Sequence, residues 1–154
     1  MKLYLVRHAE PKPEQEDPLR PLSEKGWEDI REVGAFVAER LDIRVKIIIH
    51  SGKLRAQQTA EVLREYLNPP DGLKEVEGLK PLDDPSIWVS RLAEIKEDVM
   101  LVGHLPHLSK LASDLLCGDE NMKIVEFQVS GIVCLSRDES GVWSICWMVN
   151  PRMV

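Results

Sequence analysis

The chain has 154 residues, 44% of them hydrophobic and 30% charged, with a net charge of −6, which fits one globular domain with a sizeable core. An acidic balance without a long Lys/Arg run excludes nucleic-acid binding through a broad basic face. No apolar run is long enough to span a bilayer, so no membrane partner is expected.

Met1-Lys2 leads directly into an apolar run without a signal-peptide pattern, and Cys117, Cys134 and Cys146 form an odd, widely spaced set with no CxxC pair. The expectation is a cytoplasmic protein with buried, reduced thiols, Cys117 partly exposed beside Gly118, and no zinc site. Leu3 to Val6 reads as a buried strand that stops at Arg7 and His8. Pro11 to Pro21, with four prolines and several charges, reads as a loop. Ser23 caps a helix that tolerates Gly26 in its first turn, and Trp27, Ile30, Val33, Val37 and Leu41 give it one apolar face. Val45 to His50 is a second buried strand, leading through Ser51-Gly52 to a helix from about Leu54 to Leu67. Thr59, Val62, Leu63, Tyr66 and Leu67 form its apolar side.

Pro69 to Gly72 is a break, followed by a loop with little pattern as far as Pro85. Ile87 to Ile95 reads as helical, with Trp88, Leu92 and Ile95 on one side. Val99 to His104 is a third apolar run, and Pro106 opens a helix carrying Leu108, Leu111, Ala112, Leu115 and Leu116. The period then changes to two. Val125, Phe127 and Val129 alternate, as do Trp143, Ile145 and Trp147, and Arg137 to Gly141 is a turn, most simply of a hairpin.

Strands alternating with helices predict an α/β fold: a three-layer sandwich over residues 1–154, with a mostly parallel central sheet, helices on both faces and a C-terminal hairpin. In open α/β sheets ligands bind beyond the carboxyl ends of the strands. Arg7 and His8 end the first strand, Arg55 follows the second and His104 ends the third. Two guanidiniums, two imidazoles and two helix N-termini then converge on a pocket for a compact dianion, most naturally a phosphoryl group. Histidine can carry a covalent intermediate, and flanking arginines depress its pKa and keep it neutral for attack. Arginine's planar fork suits the equatorial phosphoryl oxygens better than lysine does.

"RHAE" resembles the RHG motif of the histidine phosphatase superfamily, also called phosphoglycerate-mutase-like. "RPLSEKG" resembles its R-P-L-T-x-x-G segment, "SGKLRAQQTA" its S-P-x-x-R-A-x-Q-T block and "VGHLPHL" its late G-H block. The short chain, the H-L-P after the third strand and Leu79-Lys80-Pro81 are most similar to the SixA-type phosphohistidine phosphatases. The resemblance runs in order over nearly the whole chain. It implies a phosphoglycerate-mutase-like fold and a metal-independent phosphatase without cofactor. His8 is then the nucleophile, Arg7 and Arg55 bind phosphoryl oxygens, and His104 contacts the phosphoryl group as a cation.

Three departures stand out: Ala9 in place of the common Gly, Gly52 where Pro is usual and loosening of the turn is expected, and no glutamate acid in mid-chain. Asp83 and Asp84 are the candidate proton donors there, with Glu75 and Glu77 upstream, although helix capping is the simpler role for the two aspartates. A phosphoramidate leaves well once its imidazole is protonated, so the missing acid favours phosphohistidine. The expected partner is a phosphorylated histidine-containing phosphotransfer protein, reached through an open pocket by a monomeric enzyme. The alternatives are a broad phosphatase of small phosphate monoesters and, less favoured, a non-catalytic phosphate-binding module. His50 reads as a packing histidine, His107 as a rim residue, the four tryptophans as core, and the charged loop Lys12 to Asp17 as solvated near the pocket mouth.

Overall fold

The computed structural model describes residues 1–154. In chain order the elements are β1 (Lys2–Arg7), α1 (Glu24–Arg40), β2 (Ile47–His50), α2 (Leu54–Leu67), β3 (Leu73–Glu75), α3 (Ser86–Glu94), β4 (Val99–Gly103), α4 (His107–Cys117), β5 (Ile132–Arg137) and β6 (Trp143–Val149), with a closing 3₁₀ turn at Pro151–Met153. The six strands form one sheet in the order β3-β2-β4-β1-β5-β6. The first four of that order run parallel, while β5 and β6 are antiparallel additions.

All five residues of β4 are buried, as expected for a central strand covered on both faces. The alternation within β1 divides the core. Tyr4 and Val6 face Ile30, Val33 and Leu63 of α1 and α2. Leu3 and Leu5 face Trp88, Leu92, Leu108 and Leu111 of α3 and α4. This is the expected three-layer arrangement. Ser23 caps α1 by accepting the Gly26 N–H at 3.0 Å. No helix is long and apolar enough to cross a membrane.

Four expectations need correction. The loop after Gly72 contains β3, a three-residue edge strand too short to leave a periodic signal. The alternating stretch Val125 to Val129 is not a strand: Val125 and Phe127 bury their side chains, but the backbone pairs with no neighbour. Among the thiols, all free, only Cys134 is buried, and burial pushes it up to about 12. Cys146 is exposed because it lies on the edge strand β6, beside a register shift against β5. Trp88 is fully buried, whereas Trp27, Trp143 and Trp147 pack half-buried at the margins of the core.

The β5–β6 turn, Asp138 to Val142, lies beyond the amino end of β1, where Lys2 pairs with Ser136. There the Arg137 guanidinium donates to the carbonyls of Leu92 and Ile95, both at 2.6 Å, and stacks on Trp143. It satisfies the open carbonyls at the end of α3.

Candidate active site

The parallel pairing of β1 with β4 sets Arg7 opposite Gly103, and the His8 N–H donates to the Gly103 carbonyl at 3.1 Å. His8 and His104, each the first residue beyond its strand, therefore emerge side by side, with ring centroids 5.0 Å apart and planes at 49°. On the other side of β4, His50 pairs with Val102. The next residue, Ser51, sets its hydroxyl 2.6 Å from His104 Nε2. Arg55 follows in the first turn of α2. The Thr59 hydroxyl, one turn on, accepts the Ala9 N–H at 2.9 Å and donates to the Arg55 carbonyl at 2.7 Å, fastening the α2 start to the segment after β1.

His8 Nδ1 lies 2.8 Å from the Ala9 carbonyl. A carbonyl only accepts, so Nδ1 carries the hydrogen and Nε2 keeps its lone pair. Burial, then the charges of Arg55, Arg7 and Arg20, push His8 down to about 4, against an opposing pull from the Ala9 bond. His104 is pushed down to about 2 by burial, then by His8, Arg55 and Lys53. Both rings are neutral at physiological pH. Burial also lowers both arginines, which stay charged because arginine starts so high. Arg7 Nη1 donates to the Phe127 carbonyl at 2.9 Å. Arg7 Nε, Arg55 Nε and His104 Nδ1 are buried and have no partner within the protein.

Asp83 and Asp84 are engaged with their own loop. Asp83 accepts the Lys80 N–H at 2.9 Å, and Asp84 accepts the Ser86 N–H at 2.9 Å, at the start of α3, which holds its carboxyl below the usual range. Neither aspartate is the N-cap of α3, which is Pro85 without a side-chain bond; Asp84 satisfies the helix's first N–H from one residue further back. The field of both aspartates acts on His107. His107 is not on the rim: it is fully buried, with the Gly78 backbone beside its ring. It stands four residues before Leu111, on the helix face that turns to the core. His50 is buried as expected and its Nδ1 accepts the Gly52 N–H at 3.0 Å. That bond, with Lys53 N–H to Ser51 Oγ at 3.3 Å, closes the turn before Arg55. The turn is therefore held rather than loosened. Gly52, at φ +90°, occupies a conformation and makes a bond that proline cannot.

Three residues of the site escaped the sequence reading as contributors. Ser51 and Thr59 act through buried hydroxyls. Arg20, at φ +49°, donates from Nε to the Lys12 carbonyl at 3.3 Å, and its charge reaches His8 and Arg55. Its one sequence signal was its place at the head of "RPLSEKG".

The family model of the histidine phosphatase superfamily (branch 1) matches residues 3–83. The phosphohistidine phosphatase SixA of Escherichia coli (strain K12) is 26% identical over 156 residues, covering 98% of this chain and 94% of that protein. A solved structure of the protein histidine phosphatase SixA with tungstate has a TM-score of 0.85 at 24% identity and covers 99% of both chains. The alpha-ribazole phosphatase from Shigella flexneri has a TM-score of 0.77 at 14% identity, over 98% of this chain and 97% of that one. The two solved structures share the fold across chains named for different substrates. With more than half of its residues matched by the family model, the chain belongs to the histidine phosphatase superfamily, branch 1, and is a phosphatase.

Proposed function

We propose that this phosphatase removes the phosphoryl group from phosphohistidine on a protein, through a covalent intermediate on His8. The observation that carries the reading is His8 with its Nε2 lone pair free, the His104 ring 5.0 Å from its own, and the charges of Arg55 and Arg7 acting on it, while Arg7 Nε, Arg55 Nε and His104 Nδ1 are buried donors without a partner in the protein. Such donors call for an acceptor, and a phosphoryl group offers three equatorial oxygens. His8 Nε2 attacks phosphorus in line. The Nε2–P bond forms as the substrate P–N bond breaks, and the substrate imidazole, which enters protonated on its other nitrogen, leaves neutral with the P–N electron pair. Water then attacks phosphorus, the Nε2–P bond breaks, and phosphate departs with the water's oxygen. Arg7 and Arg55 neutralise the oxygens in both steps. His104 is neutral in the free enzyme, and a bound dianion favours its imidazolium; with Ser51 on Nε2, its Nδ1 is the atom left to donate.

The same reading takes residues 1–154 as one domain, a monomer acting in the cytoplasm on a phosphotransfer protein, with no metal or cofactor. A loop whose aspartates serve its own backbone suits a leaving imidazole better than a sugar alkoxide. A phosphatase of small phosphate esters is the second reading, favoured by the fold shared with an alpha-ribazole phosphatase. The test compares kcat/KM for a histidine-phosphorylated phosphotransfer domain with that for sugar and glycerate phosphates, in wild type and His8→Ala. The phosphoprotein should be preferred, and His8→Ala should lose about three orders of magnitude or more. A preferred small ester refutes the substrate; turnover by His8→Ala refutes the nucleophile.

A further inference from the structure

Arg7 serves two spaces. Besides preceding His8 in the chain, it lines a groove of about 530 Å³. One wall is the start of α4, with Leu105, Ser109 and Lys110. The other is the segment through Met122, Val125 and Phe127. That segment is pinned at both ends, by the Ser113 hydroxyl on the Met122 carbonyl and by Arg7 Nη1 on the Phe127 carbonyl. Buried Val125 and Phe127 hold it between, while Met122 and Ile124 remain 52% and 45% exposed. Of its residues that line the groove, Lys123, Val125, Glu126, Phe127 and Gln128 have backbone N–H groups that donate to nothing in the protein.

We propose that this groove holds the polypeptide of a phosphoprotein substrate beside its phosphorylated residue; the inference rests on the phosphohistidine reading above. Continuity through Arg7 places the occupant next to the phosphoryl group. Main-chain donors without a partner in the protein match the carbonyl and side-chain oxygens of a polypeptide, and Leu105 with Met122 offers an apolar seat. Lys110 and Lys123 against Glu120 and Glu126 give the walls charges of both signs, which suits a protein surface better than a uniformly anionic small molecule. A small ester with its phosphoryl group at His8 would leave most of the groove unused.

The test uses Met122→Asp and Lys110→Glu, each changing a partly or largely exposed groove side chain that contributes nothing to the phosphoryl pocket. Their thermal midpoints are compared with wild type to confirm folding. Against a histidine-phosphorylated phosphotransfer domain, KM should rise about tenfold with kcat little changed. Against an aryl phosphate and free phosphohistidine, kcat/KM should stay within about twofold of wild type. Equal losses on all substrates, or a KM rise confined to the small ones, overturn the polypeptide groove, as does a variant that matches wild type on the phosphoprotein. A wild type that cleaves the aryl ester but not the phosphoprotein overturns the phosphohistidine reading and the groove together, so the two failures are distinguishable.

Discussion

Burial and the charges of three guanidiniums hold His8 neutral, down to about 4, while the Ala9 carbonyl fixes which nitrogen is free. In an NMR titration, His8 and His104 should therefore both titrate well below the ordinary histidine value of about 6.5. Saturating inorganic phosphate should move both upward, since a dianion favours the charged ring; unmoved values would disprove a phosphate-binding pocket there. Arg20→Ala should raise KM for an aryl phosphate by about two- to fivefold, the scale of a partly screened charge, and should raise the His8 pKa. Arg7, His8, Arg55 and His104 were legible because each follows an apolar strand or opens a helix at the sheet's carboxyl edge. Arg20, Ser51 and Thr59 were not, because their roles depend on loop closure and on hydroxyl geometry that no periodicity encodes. His107 was misjudged by its polarity, although its spacing to Leu111 marked an inward face.

Among the elements, α1 shows how a loop is held over the pocket. A Cβ at Gly26 would lie 2.2 Å from the Glu10 carbonyl oxygen, while the Ser23 hydroxyl bonds the Glu10 carboxylate at 2.8 Å and Gln58 Oε1 accepts the Leu22 N–H at 2.8 Å. Gly26→Ala must push α1 away from the segment after His8. It should cost about 1–3 kcal/mol, lower the thermal midpoint by several degrees and reduce kcat. A variant as stable and active as wild type would show that the contact is not needed. The helices and the three long parallel strands were legible because each buries a face with a clear period. β3 was lost because three residues carry no period. Val125 to Val129 misled because alternation reports which side chains are buried, not whether the backbone has a strand beside it.

At the scale of the molecule, all four histidines are buried, and burial lowers each of them. A histidine with a lowered folded-state pKa binds fewer protons folded than unfolded. Stability is therefore fully present above the unfolded value, about 6.5, and falls as pH drops below it toward the folded values. The urea midpoint should drop steadily between about pH 7 and pH 5; a flat profile would contradict the buried neutral rings. Sheet polarity follows from the alternation of strands and helices, so the layered fold and the edge that bears the site were both legible. The outer position of β5 and β6 was not, because pairing partners distant in sequence leave no local trace. That sheet also separates two poles. The Asp138 to Val142 turn is exposed apart from its flanking strands and lies at the end opposite His8. A peptide tag or a surface tether inserted there would leave the pocket and its approach facing outward, so an immobilised enzyme should retain its solution kcat.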